Sequence, residues 1–136
     1  MTQYLLDTNH ASPLVTPDHP LRLRLQAALS REHTFSLTAL NITELHYGFG
    51  TLPRAVQNYR EWALLRPSFR VYAIDEDDAL KAAELQIQLR RRGWQLGSVD
   101  ALIAVIAVRN NLTLLTTDSD FNAVPDLKHE NWLLSV

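Results

Sequence analysis

The chain has 136 residues, 13 of them basic and 15 acidic, for a formal net charge of −2 at pH 7. Its length suits one domain spanning residues 1–136, and 46% apolar against 21% charged residues exclude an intrinsically disordered chain. The absence of cysteine removes disulfides, thiolate zinc sites, iron–sulfur clusters and a cysteine nucleophile, and fits a reducing cytoplasm.

No apolar run reaches the ~18 residues of a membrane span. The start, Met1-Thr2-Gln3-Tyr4, lacks the basic opening and long apolar stretch of a signal peptide. Residues 3–6 read as a short buried strand stopped by Asp7-Thr8-Asn9. Pro13, Pro17 and Pro20 then punctuate a loop and helix starts. Leu21, Leu25, Ala28 and Leu29 share a helical face over 21–31. A second strand follows at 34–37. A helix over 39–49 carries Leu40, Ile42, Leu45 and Phe49, and another over 53–66 is opened by Pro53.

Residues 70–74 read as a third strand. The acids Asp75, Glu76, Asp77 and Asp78 suit the positive end of a helix that runs to about Arg92 and stops at Gly93. Residues 99–109 form a very apolar helix, 112–116 a fourth strand, and 131–135 a fifth. Alternating strands and helices predict an α/β fold, with a central, mostly parallel sheet of four to five strands flanked by helices.

Four carboxylates stand in apolar surroundings. Asp7 directly follows strand one, where parallel sheets bind ligands; an N-cap role is the alternative. Asp100 is the only charge between Gly93 and Arg109. It sits in the first turn of a helix apolar all round, with Ser98 available as the cap. Asp118 follows the apolar strand 112–116, or caps a short turn. Glu44 lies mid-helix between apolar neighbours. If strands one and four are adjacent, Asp7 and Asp118 come from neighbouring strand ends. Converging carboxylates repel and call for a cation. Hard oxygen ligands without sulfur or imidazole suit Mg²⁺ or Mn²⁺, whose waters and charge serve phosphodiester hydrolysis.

With these residues in place, the segments Leu5-Leu6-Asp7-Thr8-Asn9, Thr43-Glu44-Leu45-His46-Tyr47-Gly48, Gly97-Ser98-Val99-Asp100-Ala101-Leu102-Ile103-Ala104 and Leu115-Thr116-Thr117-Asp118-Ser119-Asp120-Phe121 resemble the PIN-domain nucleases. More closely, they resemble the VapC-type ribonuclease toxins of toxin–antitoxin pairs. The resemblance covers essentially the whole chain, with the motifs in family order. It implies a PIN-like three-layer sandwich and an acidic metal site of Asp7, Glu44, Asp100 and Asp118. Asp7 and Asp100 would be the principal ligands of Mg²⁺, with Mn²⁺ able to substitute. Thr8, Asn9, Thr116 and Asp120 would stand behind them. The resemblance also implies RNA as substrate, commonly a tRNA or a ribosomal loop. It further implies a VapB-type antitoxin that blocks the site, and a homodimer that forms a higher assembly with that antitoxin.

Setting the four acids aside leaves +2 on the remainder. Arg90, Arg91 and Arg92 then offer a phosphate-contact patch, or the usual cationic last turn of a helix. Eleven of the 13 basic residues are Arg, the side chain that forks onto phosphate. The five histidines show no paired ligand spacing and read as surface or capping residues. The three tryptophans suit a core or interface better than base stacking. Two other functions compete. A phosphotransfer domain would need a Lys near the phosphate, and would want Asp-x-Asp where this chain has Asp7-Thr8-Asn9. A catalytically weak PIN module would bind RNA or antitoxin without cutting.

Overall fold

The computed structural model describes residues 1–134. Five strands, β1 (Gln3–Leu6), β2 (Thr34–Thr38), β3 (Phe69–Tyr72), β4 (Thr113–Leu115) and β5 (His129–Glu130), form one sheet in the order β3-β2-β1-β4-β5. Every pairing is parallel. The helices are α1 (Thr8–Ala11), α2 (Pro20–Ser30), α3 (Ala39–Thr51), α4 (Ala55–Leu65), α5 (Glu76–Arg91) and α6 (Ser98–Arg109).

Side-chain alternation along the strands divides the core in two. Tyr4, Leu6, Phe35, Leu37, Phe69 and Leu115 join Leu14, Leu25, Leu45, Phe49 and Trp62 on the α1–α4 face. Leu5, Leu114 and Tyr72 face the other way, against Ala82 and Leu89 of α5 and Ala101, Ile103, Ala104 and Ile106 of α6. This is the period-2 rule of a sheet covered on both sides. The result is a three-layer α/β sandwich. From β1 the chain winds outward through β2 to β3, then returns to the other side of β1 as β4. The winding therefore reverses between β1 and β4, the position where open α/β sheets bind ligands.

Several sequence expectations need correction. Strand five lies at His129–Glu130 rather than 131–135. The Asn131 carboxamide accepts the Leu133 amide at 2.8 Å and turns the chain. Trp132 packs edge-on against Tyr4, with ring centroids 4.9 Å apart. Its apolarity thus serves the helix-covered core; Ser135 lies outside the described residues. Helix α4 begins at Ala55, behind a left-handed Arg54 (φ 68°), so Pro53 precedes the helix instead of opening it. Strand three ends at Tyr72 rather than 74. Helix α1 and the 3₁₀ turn Ser12–Val15 occupy a segment that read as loop.

The acidic start of α5 behaves as its composition indicates. Asp75 caps the helix in a reciprocal box with Asp78. The backbone N–H of Asp78 holds the Asp75 carboxyl below its ordinary pKa. Asp78 is fully buried and pairs with Arg109 of α6 at 3.0 Å. That contact ties the start of α5 to the end of α6, and so sets how α6 presents its own first turn. Arg109→Met should lower stability by roughly 3 kcal/mol, because it strands a buried carboxylate. Calorimetry should show that loss, and pairing the change with Asp78→Asn should recover most of it.

Candidate active site

The site stands at the reversal point. The Asp7 amide donates to the Leu115 carbonyl at 2.9 Å, which extends the β1–β4 ladder one step and sets Asp7 beside Thr116. The Asp7 carboxylate is then held from three sides. Its Oδ1 accepts from the Thr8 amide at 2.9 Å. Its Oδ2 accepts from the Asn9 side chain at 3.2 Å and from the Thr116 hydroxyl at 2.8 Å. Asp7 also caps α1, so the capping alternative holds.

Thr116 joins two acids. It donates to Asp7 and accepts the Asp118 amide at 3.0 Å. Asp118 caps the 3₁₀ turn Ser119–Ala123, its Oδ1 accepting the Asp120 amide at 2.8 Å. This tight turn carries Asp120 back toward the site. Asp100 enters from α6, three positions into a helix capped by Gly97; Ser98, the cap expected from the sequence, is already the first helical residue.

Carboxylate oxygens of Asp100, Asp118 and Asp120 lie within 4.8 Å of one another. Asp120 is therefore a member of the cluster, not a residue behind it. Burial, then the charges of Asp7, Asp118, Asp120 and Glu44 in that order, push the Asp100 pKa up to about 6. Asp7 and Glu44 thus face the cluster without joining its tightest group.

Glu44 is placed by a relay that starts buried at Thr38 and Asn41 and ends exposed at Glu44. Thr38 and Asn41 form a reciprocal cap on α3, with the Thr38 hydroxyl donating to Asn41 at 2.8 Å. The Asn41 amide donates to the Thr8 hydroxyl at 3.2 Å, and that hydroxyl donates to Glu44 Oε1 at 2.9 Å. The Thr-x-x-Asn spacing after a strand was the available sequence signal for this pair.

His10 was missed altogether. It is fully buried, not a surface or capping residue. Its Nε2 accepts the Trp132 amide at 3.0 Å, which leaves Nδ1 protonated and donating to Asn9 at 2.7 Å. Asn9 also accepts the Thr117 amide at 3.3 Å. A hydrogen-bond chain therefore runs from the C-terminal segment through His10 and Asn9 to Asp7. Both imidazole nitrogens are used, so His10 is no ligand. Burial, aided by the Arg24 charge, pulls its pKa down to about 4.

Among the described residues, the cluster is made of carboxylate oxygens from Asp100, Asp118 and Asp120. Asp100 is raised by burial and by the negative charge around it. A hard divalent cation such as Mg²⁺ or Mn²⁺ fits this set, and a sulfur- or imidazole-seeking metal does not. Arg90, Arg91 and Arg92 are exposed at the end of α5 and make no salt bridge among the described residues. No helix among the described residues is long and apolar enough to cross a membrane.

The sequence profile of the PIN domain matches residues 4–127. The chain belongs to the PIN-domain family, as a ribonuclease of the VapC type. It is 30% identical over 124 residues to the VapC ribonuclease Y4jK of Sinorhizobium fredii, covering 85% of this chain and 86% of that one. It is 25% identical over 130 residues to Ribonuclease VapC2 of Rickettsia felis, covering 95% and 97%. The VapBC2 structure from Rickettsia felis, bound to a promoter DNA fragment, superposes with a TM-score of 0.82 at 24% identity over 96% of this chain and 99% of that one. FitAcB of Neisseria gonorrhoeae superposes with a TM-score of 0.76 at 26% identity over 96% and 99%.

Two predictions follow from the charges. The folded state holds the Asp100 proton more tightly than the unfolded chain, so stability falls as pH rises from about 4 to about 6. At pH 7 in EDTA, Asp100→Asn should therefore stabilise the protein by about 1 kcal/mol, after allowance for solvent screening. Mg²⁺ should raise the melting temperature of the parent and not that of the variant. His10 acts with the opposite sign, because it binds its proton less tightly folded than unfolded. Its stabilisation is complete above about pH 6.5 and declines toward pH 4. The difference in melting temperature between the parent and His10→Gln should shrink across that window.

Proposed function

We propose that this chain is the toxin of a toxin–antitoxin pair, an endoribonuclease that needs Mg²⁺ or Mn²⁺. It hydrolyses phosphodiester bonds in a structured RNA, a tRNA or a ribosomal loop, in the cytoplasm. The observation that carries this reading is the carboxylate cluster at the β1/β4 reversal, with Asp100 driven up by burial and then by the charge around it. Asp7, Asp100 and Asp118 would hold the cation, and the geometry adds Asp120 to that set. When bound, the cation would neutralise charge building on the phosphate and supply an activated water.

The protein's own side chains do the rest. Thr8, Asn9 and Thr116 lock the Asp7 carboxylate in one orientation. Glu44 spends Oε1 on Thr8 and keeps Oε2 to orient the attacking water and take its proton. Arg90, Arg91 and Arg92 meet RNA phosphates beyond the cut. A VapB-type antitoxin restrains the enzyme, which works as a homodimer and enters a larger assembly with that antitoxin. Support comes from the structural neighbours, several of which are VapBC complexes, two of them with DNA bound.

The test is incubation of antitoxin-free protein with total RNA, in Mg²⁺, Mn²⁺ or EDTA, with new RNA ends read by sequencing. Discrete ends should require the metal and should fall about 10²-fold or more in Asp7→Asn. Thr116→Val should lower the rate by about 10- to 100-fold through misplacement of Asp7. Metal-independent RNA binding without cleavage would instead mark a binding module.

A further inference from the structure

We propose that Trp94 is a stacking platform for an unpaired RNA base next to the scissile phosphate. The inference rests on the ribonuclease reading and adds a subsite to it. The three tryptophans of this chain have different surroundings. Trp62 is 4% exposed and packs between Phe49 and Phe69. Trp132 packs against Tyr4 and Phe35, and the Arg24 guanidinium covers its ring at 4.0 Å. Trp94 is 38% exposed, and among the described residues no aromatic ring or cation is stacked on it.

Its exposure is nonetheless ordered. Helix α5 ends in a Schellman turn: the Gly93 amide donates to the Arg90 carbonyl and the Trp94 amide to the Leu89 carbonyl, both at 2.9 Å. Gly93 supplies the left-handed φ of 78° that this turn requires. The indole N–H then donates to the Asp120 carbonyl at 3.1 Å. Backbone and ring edge are both held, so a flat apolar face is presented at little entropic cost.

The place of this face matters as much as its rigidity. The carbonyl that holds the indole belongs to Asp120, whose carboxylate is in the acidic cluster. Trp94 lines a cleft of about 420 Å³ with Gln86, Arg90, Gly93, Gln95 and Leu96. Gly93 adds no side chain to this cleft, and nothing stands within 4 Å of where its Cβ would project. Aromatic faces interleaved with unpaired arginines are the recognition chemistry of single-stranded nucleic acid. A part-exposed indole that shares its cleft with Arg90, one residue contact from the cluster, combines these features.

A purely bracing role, in which the indole only fixes the Asp120 turn, makes a different prediction. The background is Asp7→Asn in Mg²⁺, chosen so that binding is read without cleavage. The probe is a mixed-sequence single-stranded oligoribonucleotide, followed by fluorescence anisotropy and indole quenching. Trp94→Leu removes ring and donor together and should weaken binding about tenfold. Trp94→Phe keeps a face and loses the donor; it should bind within about threefold of the parent while the quenching signal disappears.

Unchanged affinity in Trp94→Leu overturns the proposal. So does an equal loss in Trp94→Phe and Trp94→Leu, the signature of a brace. If the Asp7→Asn parent binds no RNA and the wild type cuts none, the ribonuclease reading falls and takes the subsite with it. Cleavage by the wild type together with an inert Trp94→Leu change overturns the subsite alone.

Discussion

Repulsion among carboxylates gathered at the ends of β1 and β4 is the constraint on which the rest of this structure depends. Asp100, Asp118 and Asp120 are held within a few ångströms, with Asp7 and Glu44 facing them. No relaxed chain would gather so much like charge. The fold enforces it by bringing the acids in on separate rigid elements, with Asp118 and Asp120 sharing one 3₁₀ turn, and by supporting them with neutral donors. Thr8, Asn9 and Thr116 together give Asp7 no freedom to swing away. The first turn of α6 and the 3₁₀ turn after Asp118 do the same for their own acids by backbone geometry. The strain is relieved only by positive charge, which is how a site becomes selective for a cation.

The scaffold that bears this strain is divided by the sheet. One core clamps β1 from the side of α1 to α4, the other from the side of α5 and α6. Because β1 is central, neither face can shift without moving Asp7. Two polar arrangements fix the packing at points where apolar contacts could slide. The Asp78–Arg109 pair joins α5 to α6, and the His10–Asn9 chain joins the C-terminal segment to the first acid. A neutral His10 is compatible with complete burial because both of its nitrogens have partners.

Much of this was legible in the chain because it is local. The apolar Tyr4-Leu5-Leu6 followed by Asp-Thr-Asn announces a buried strand and a cap, and both exist. The acidic tetrad from Asp75 to Asp78 announces a helix start, and it makes one. The lone acid in the apolar run 99–109 announces a helix's first turn, and Asp100 stands there half-buried, although Val99 beside it is exposed. The errors share a cause too. Asn131-Trp132-Leu133-Leu134 has strand-like apolarity, yet its hydrogen bonds turn back on themselves and its ring enters the α1–α4 core. His10 carried no spacing signal, since its two partners lie at Asn9 and Trp132, on opposite ends of the sequence.

What the sequence determined by itself was most of the elements, their alternation and the identity of the unusual acids, because periodicity, capping and composition act over a few residues. The tertiary structure decided which of those acids meet. Adjacency of β1 and β4, the return of Asp120 through a tight turn, and the exposure of Trp94 beside it depend on contacts between residues many positions apart. Such contacts are set by packing across the sheet, and no window along the chain contains both partners.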